Sequence, residues 1–590
     1  MRSVASRLRT RAWEQGLRLP KATTPDVEVR RCLPVPMPDG AALLADLYRP
    51  RGAGPLPTVL ARTPYGRRGL VAIVSSRLLA ERGLQVLLQS CRGTFGSGGK
   101  LDPFRERSDG LATLAWIREQ PWHAGPIATT GASYLGIAQW AIAAAADPGL
   151  AAVAGAVTSS DPRSQTYLGD SFSLELALSW AYLTTIQEPP LGGFRKLLMR
   201  PRLLRAFDTW PLAAADRALG RSLRHYQDWL AHAGPHDPYW NDRVFSDSVT
   251  NVEAAVDLVA GWYDIFLPGQ LRDFHRLRDA GRDVRLTIGP WAHVSPGLIA
   301  EATRRSIEVL RGQLIDGAGP RPGPPVRVYV TGADDWRQLP DWPPGARPQR
   351  WYLHRHRGLS TAPPGPSEPD AYRYDPADPT PALGGAVLSG RPRRNNARLE
   401  ARPDVLTFTS APLGPPLEII GPVWAEVDLA SNRAHTDLFI RVCDVDTRGV
   451  SRNVCDGLQR LSAGHPATAA DGTRRVTVEL WPAAHRFATG HRIRVQVSSG
   501  AHPRFARNPG TGRGLDEDSA LLPADQLIFH DPAHPSSILL PVLHKTERRQ
   551  RSCDKTPGAR LSARRHTHPD AAADDTGTGT PHLTTARITR

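Results

Sequence analysis

The sequence predicts an α/β fold whose sheet is interrupted by a helical insertion and followed by an all-β part. Three observations carry this expectation. Strand-like and helix-like runs alternate over residues 27–160 and again over 250–355, helical patterns alone fill 161–249, and helical periodicity vanishes beyond about residue 355. At 590 residues the chain exceeds what one core can organise and divides into roughly two to four domains.

Residues 1–26 are basic, lack strand alternation and read as an N-terminal extension. From residue 27 the β-rich runs "LADLYRP" and "PTVLARTPYG" follow, the second ending in turn chemistry at Pro64, Tyr65 and Gly66. "GLQVLLQS" is a continuous apolar run suited to a strand covered on both faces, and "CRGTFGSGGK" is the glycine loop behind it. In "ERSDGLATLAWIREQPWHAG", Leu111, Leu114, Ala115 and Ile117 fall at helical spacing until Pro121 stops them. "PIATT" reads as a short strand and "LGIAQWAIAAAA" as the helix after it.

Residues 161–249 read as an inserted helical cap, with helices at "SFSLELALSWAYLTT" and "RSLRHYQDWLAHAG". Alternation resumes over 250–355 at "AVDLVAGWYD", "DVRLTIGPWAH", the helix "EATRRSIEVLRGQLIDG" and the strand "VRVYVTG". Residues 356–545 carry strands such as "LEIIGPVWAEVDLA" and "TDLFIRVCDV" between turn clusters, which predicts a β-sandwich or jelly roll. Residues 546–590 are polar, low in complexity and read as a disordered tail.

With 40% hydrophobic and 22% charged residues, the composition is that of a globular chain. A net charge of +16 invites polyanions, but the two ends hold nine of those charges and the rest is spread thinly, so no specific nucleic-acid partner is expected. The five cysteines are scattered, odd in number and without metal-ligand spacing, which fits a reducing, cytoplasmic setting. The N-terminus has no apolar signal core, and Asp147 and Pro148 break the longest apolar stretch before it could span a bilayer. His354 and His356 read as a solvated loop, and Lys100 is followed by Leu101 where a phosphate loop needs Ser or Thr. No metal or cofactor is expected, and the oligomeric state, homodimer included, stays open.

Chemistry concentrates around "TTGASYLGIAQW", where Ser133 lies between a strand and a helix as a nucleophile elbow requires. The generic G-x-S-x-G spacing is not met, because Leu135 stands where the second glycine belongs and Gly136 arrives one residue late. Local spacing alone therefore leaves a helix-capping serine as open as a nucleophile. A nucleophilic serine needs a base and an acid on loops after later strands. "LVAGWYD" ends in Asp264 and "LTIGPWAH" in His293, giving the order Ser, Asp, His found in α/β hydrolases.

The blocks "GASYLG", "GWYD", "GPWAH", "RTPYG" and "CRGTFGSGG" resemble the signatures of the cocaine esterase-like (CocE/NonD) hydrolases, a family that includes Xaa-Pro dipeptidyl-peptidases and α-amino-acid ester hydrolases. The family elbow is G-x-S-Y-x-G, which accounts for the displaced glycine. The resemblance spans about residues 27–545 and implies an α/β-hydrolase domain with an inserted cap and a C-terminal jelly roll. It implies Ser133 as nucleophile, His293 as base then acid, and Asp264 as the group fixing the imidazole tautomer. It further implies an oxyanion hole made by the Tyr134 N–H and the Tyr65 hydroxyl. One departure stands out: Ser90 occupies a place where family members usually carry an aspartate.

The α-amino-acid ester hydrolases bind a substrate ammonium with acidic residues just past the catalytic aspartate, whereas Ile265, Phe266 and Leu267 follow Asp264 here. An apolar acyl group is the better expectation, with Trp180, Trp262 and Phe266 as candidate aromatic pocket residues. The expected activity is hydrolysis of a small-molecule ester or amide through an acyl-enzyme. An Xaa-Pro dipeptidyl-peptidase is the alternative within this chemistry, and a catalytically dead carbohydrate- or ligand-binding protein the alternative outside it.

Overall fold

Nine consecutive residues, Ala255–Tyr263, are all buried. A strand covered on both faces belongs inside a sheet sandwiched by helices. The computed structural model of the chain describes residues 2–188, 199–317, 319, 321–388, 390–516 and 520–543, and among them this strand lies within a ten-stranded sheet. The tail expected over 546–590 and cap residues 189–198 lie outside the described residues.

We number the strands β1 (Val27–Pro36), β2 (Ala42–Pro50), β3 (Leu56–Thr63), β4 (Gln85–Ser90), β5 (His123–Ala132), β6 (Ala152–Ala156), β7 (Ala255–Tyr263), β8 (Val284–Ala292), β9 (Val326–Val330) and β10 (Asp335–Leu339). Their spatial order is β1-β2-β4-β3-β5-β6-β7-β8-β9-β10. Neighbours run parallel from β4 across to β9, and the outer pairs are antiparallel. The pleat sends alternate side chains to opposite layers. Leu60 and Leu87 join the core of helices Arg107–Arg118, Tyr134–Ala143 and Leu267–Asp279, whereas Val59, Ala61, Val86 and Leu88 pack with Ile307 and Leu310 of helix Pro296–Leu314. Each buried Val, Leu or Ile among them contributes about 1.5–3 kcal/mol. That last helix starts earlier than its apolar period suggests, because Pro296 is tolerated in the first turn, where its missing N–H costs nothing.

The chain ahead of β1 is less detached than an extension. It forms helix Arg2–Gly16 and is tied to the body where Thr10 donates to Glu81 Oε1 (3.0 Å) and Arg82 Nε donates to Pro20 O (2.9 Å). Between β6 and β7 the chain forms a cap with helices Leu174–Ile186, Met199–Phe207 and Arg224–Ala231. It also holds a hairpin of Tyr167–Leu168 with Ser171–Phe172, too short to leave a period-two signature in the sequence.

A second sheet contains eleven strands among the described residues. Its longest member, Leu417–Ser431, pairs with Arg474–Phe487 on one side and Ser537–Val542 on the other. The register slips between Gly421 and Val423, at Pro422, which has no N–H to give the ladder. The α/β-hydrolase domain with helical cap and C-terminal β-sandwich read from the sequence is thus the architecture found. One boundary moves: strand Arg347–His354 pairs with Ser537–Val542 and so belongs to the second sheet, ahead of the division expected at residue 355. Its pairing partner lies far along the chain, beyond the reach of local pattern. No helix among the described residues is long and apolar enough to cross a membrane.

Candidate active site

Where β5 ends, Ser133 adopts φ 59° and ψ −126°, a conformation an L-residue enters at a cost of about 1–3 kcal/mol. Three backbone hydrogen bonds hold it there: Ser133 N to Ala156 O (2.9 Å), Gly136 N to Ser133 O (2.8 Å) and Ile137 N to Ser133 O (3.1 Å). The two glycines explain the spacing. A Cβ on Gly131 would lie 2.3 Å from Leu135 Cβ, and one on Gly136 2.4 Å from Thr158 Cβ, so the helix can fold back against β5 and the end of β6 only if both are bare. Leu135 fills the space over Gly131, and the close approach to Thr158 falls on residue 136.

Asp264 follows β7 and is fully buried. Its Oδ1 accepts the Phe266 N–H (2.8 Å), its Oδ2 pairs with His293 Nδ1 (2.7 Å), and its carbonyl accepts the Trp481 indole N–H (2.9 Å) from the second sheet. His293 follows β8, and its Nε2 lies 2.9 Å from Ser133 Oγ. The Phe266 ring stacks on the imidazole at 5.5 Å between centroids. Val387 bridges both loops, donating to Tyr263 O (3.2 Å) and accepting from His293 N (3.5 Å). The three residues selected from the sequence are therefore brought into one hydrogen-bonded line.

Tyr65 lies in the loop after β3, steadied by Gln187 of the cap, whose side chain donates to Pro64 O (2.8 Å). The Tyr65 hydroxyl accepts the Trp180 indole N–H (2.8 Å). Burial pushes its pKa up to about 12 despite hydrogen bonds with Trp180 and Ser133, so it stays a neutral donor throughout ordinary pH. The Tyr134 hydroxyl is engaged elsewhere. It donates to Glu106 Oε1 (2.7 Å) and accepts Phe104 N–H (3.0 Å), while Glu106 pairs with buried Arg62 (2.8 Å). As the first helical residue, Tyr134 has no acceptor for its N–H within the helix. That N–H and the Tyr65 hydroxyl thus flank Ser133.

Trp180 stacks on Tyr134 (5.4 Å, 7°) while holding Tyr65, so it lines the site. Phe266 lies against His293. Trp262, expected with them, does not join: its indole N–H donates to Tyr329 O (2.7 Å) and its ring packs on Trp342 (5.6 Å). With every residue of β7 buried, the sequence carries no alternation to tell the two faces apart. Ser90 is fully buried and accepts a hydrogen bond from Arg67 Nη1, whose Nε reaches Asp46 Oδ1 (3.2 Å). Asp46, on the neighbouring strand β2, supplies the negative charge that the loop lacks at Ser90.

Sequence reasoning also missed groups that only the fold assembles: Glu106 behind Tyr134, Trp481 from the second sheet, Val387 from a loop of the β-rich part, and Glu175 of the cap, which lines a cavity together with Ile265. Among the described residues no cluster of three or more His, Cys, Asp or Glu side chains could hold a metal ion.

Residues 39–295 match the X-Pro dipeptidyl-peptidase (S15 family), and residues 320–539 match the X-Pro dipeptidyl-peptidase C-terminal non-catalytic domain. The cocaine esterase of Rhodococcus sp. (strain MB1 Bresler) is 31% identical over 568 residues, covering 87% of this chain and 98% of that protein. The chain belongs to the cocaine esterase family. It is a serine hydrolase of the group that also holds the S15 peptidases. Two solved structures share its fold at lower identity. An α-amino acid ester hydrolase superposes with a TM-score of 0.74 at 22% identity, covering 89% of this chain and 98% of that one. An aminopeptidase from the marine sediment archaeon Thaumarchaeota archaeon gives the same figures, a TM-score of 0.74 at 22% identity with 89% and 98% covered.

Proposed function

We propose that the chain hydrolyses carboxylic esters of small molecules through an acyl-enzyme on Ser133. The observation that carries this reading is the unbroken line from Ser133 Oγ through His293 to Asp264, with steps of 2.9 and 2.7 Å. Ser133 Oγ attacks the ester carbonyl as His293 Nε2 takes its proton. Asp264, accepting from Nδ1–H, fixes the tautomer and stabilises the imidazolium. The negative charge on the tetrahedral oxygen is met by the Tyr134 N–H and the Tyr65 O–H, each worth about 3 kcal/mol where water is excluded. On collapse the imidazolium protonates the leaving alkoxide, the alcohol departs, and the acyl group stays on Ser133 until water repeats the sequence and releases the acid.

Ser133→Ala tests the reading: kcat/KM on p-nitrophenyl butyrate is expected to fall by about 10⁴-fold or more, and a fluorophosphonate is expected to label the parent protein alone. Turnover at the parent rate refutes it. Comparison with an Ala-Pro-anilide separates esterase from dipeptidyl-peptidase. The ester is expected to be the better substrate, because the relative whose length the chain spans is an esterase by name and no carboxylate directly follows Asp264.

A further inference from the structure

Asp264 must aim its carboxylate at His293, and part of what fixes that aim comes from outside the α/β domain. The direction in which its side chain leaves Cα depends on φ and ψ of residue 264, which relate two successive peptide planes, Tyr263–Asp264 and Asp264–Ile265. Both planes are held by their carbonyls. Tyr263 O accepts the Val387 N–H (3.2 Å), and Asp264 O accepts the Trp481 indole N–H (2.9 Å). Val387 stands in a loop of the β-rich part and Trp481 on strand Arg474–Phe487. Both lie within residues 320–539, which match a domain described as non-catalytic.

The other bonds of Asp264's main chain and Oδ1 stay inside its own turn. Its N–H donates to Gly261 O (3.0 Å), its Oδ1 accepts the Phe266 N–H (2.8 Å), and the Leu267 N–H reaches its carbonyl at a longer 3.4 Å. Such contacts tie the turn to itself, whereas Trp481 and Val387 tie it to a separate layer. Val387 also accepts from His293 N (3.5 Å), so the same segment touches both loops.

The second sheet is bent where it supplies this donor. Gly421 pairs with Ala483 and Val423 with Leu480, which sets Trp481 and Pro482 together opposite Pro422. Two residues against one make a β-bulge, which bends a strand and re-aims its side chains. Arg475, Thr477 and Glu479 alternate outward and are exposed, yet Trp481, next in that row, is buried. The Arg504 guanidinium lies over its ring at 4.6 Å and is itself paired with buried Asp456 at 2.6 Å. A ring confined in this way presents its N–H in one direction.

We propose that Trp481 is a positioning residue for the acid–base pair, holding the Asp264 carboxylate on His293 Nδ1 through the main chain. This inference rests on the relay from Ser133 through His293 to Asp264 being the catalytic one. Without the indole N–H the Asp264–Ile265 peptide is free to tilt, and Oδ2 drifts from the imidazole. A misplacement of about 1 Å costs about 10²-fold in rate, so a partial loosening costs about tenfold.

The test is a double-mutant cycle on the full chain with p-nitrophenyl butyrate. Trp481 is replaced by benzothienylalanine, which keeps the two-ring shape and puts sulfur in place of the N–H, and separately by phenylalanine. Each replacement is made in the parent and in Asp264→Ala. In the parent, kcat is expected to fall about tenfold with KM within about twofold, because acylation and deacylation pass through the same pair and slow alike. Asp264→Ala alone is expected to lower kcat by about 10⁴-fold. With no carboxylate left to direct, replacing Trp481 there should cost less than about a further twofold. Equal losses in both backgrounds mark a merely structural tryptophan and overturn the proposal, as does a folded benzothienylalanine protein with the parent's kcat. Should that protein not fold, Trp481→Phe decides by the same two comparisons. An Asp264→Ala protein that turns over at the parent rate refutes instead the relay on which the inference rests.

Discussion

Replacing Tyr65 by phenylalanine isolates one donor of the proposed oxyanion hole. The substitution keeps the ring and removes the hydroxyl, which flanks Ser133 and accepts the Trp180 N–H at 2.8 Å. Two costs follow. Loss of a preorganised donor to the tetrahedral oxygen lowers kcat by about 10²–10³, or about 3–4 kcal/mol, with KM nearly unchanged because the interaction strengthens only in the transition state. The Trp180 N–H also loses its acceptor in a mostly buried stack, which lowers stability by about 1–3 kcal/mol. Steady-state kinetics on p-nitrophenyl butyrate, with a thermal melt on the same preparation, separates the two. Trp180→Phe is the control: it removes the N–H and spares the hydroxyl, so its kcat is expected to fall by about tenfold or less. The pKa of about 12 adds a second check, since the neutral donor persists up to that pH and no loss of rate below it should trace to Tyr65. A folded Tyr65→Phe protein with kcat/KM within about threefold of the parent refutes the assignment.

Gly136→Ala puts a Cβ 2.4 Å from Thr158 Cβ, so the helix must retreat from the end of β6 and carry Ser133 with it. A stability loss of about 1–3 kcal/mol and a kcat loss exceeding any change in KM are expected from melts and kinetics. Glu106→Gln removes the carboxylate paired with buried Arg62 at 2.8 Å, with only Asp109 left at 4.0 Å, and should cost about 3 kcal/mol in chemical denaturation. His502 is pressed down to about 4 by burial and the Arg507 charge, against the pull of Asp208. Between pH 6.5 and 4 the unfolded chain therefore binds a proton that the folded one refuses, and stability falls as pH drops through that window. His502→Gln should flatten this acid slope by up to about 3 kcal/mol between melts at the two ends.

Much of this site is legible in the chain because its signals are local. "GLQVLLQS" and "AVDLVAGWY" are apolar runs that only a doubly covered strand can bury, and they became β4 and β7. Ser133, Asp264 and His293 each stand at the end of such a strand, where a parallel sheet delivers its loops to one edge. Other groups left no local trace. Trp180 and Trp262 look equivalent as text, yet one holds Tyr65 and the other is spent between Tyr329 and Trp342. Asp46 stands in for the acid missing at Ser90 because β2 pairs with β4, a neighbour chosen by the sheet and not by sequence distance.

By itself the sequence determined the layered architecture, the elbow and the order of its candidate partners, because hydrophobic period, glycine and strand ends act within a few residues. Only the tertiary structure decided that the imidazole lies 2.9 Å from the hydroxyl and 2.7 Å from the carboxylate, and that Glu175 and Arg504 line one cavity beside Ile265. Those neighbours come from separate layers that meet only when each buries its apolar face against the others. Which polar group then ends up opposite which is a property of that packing.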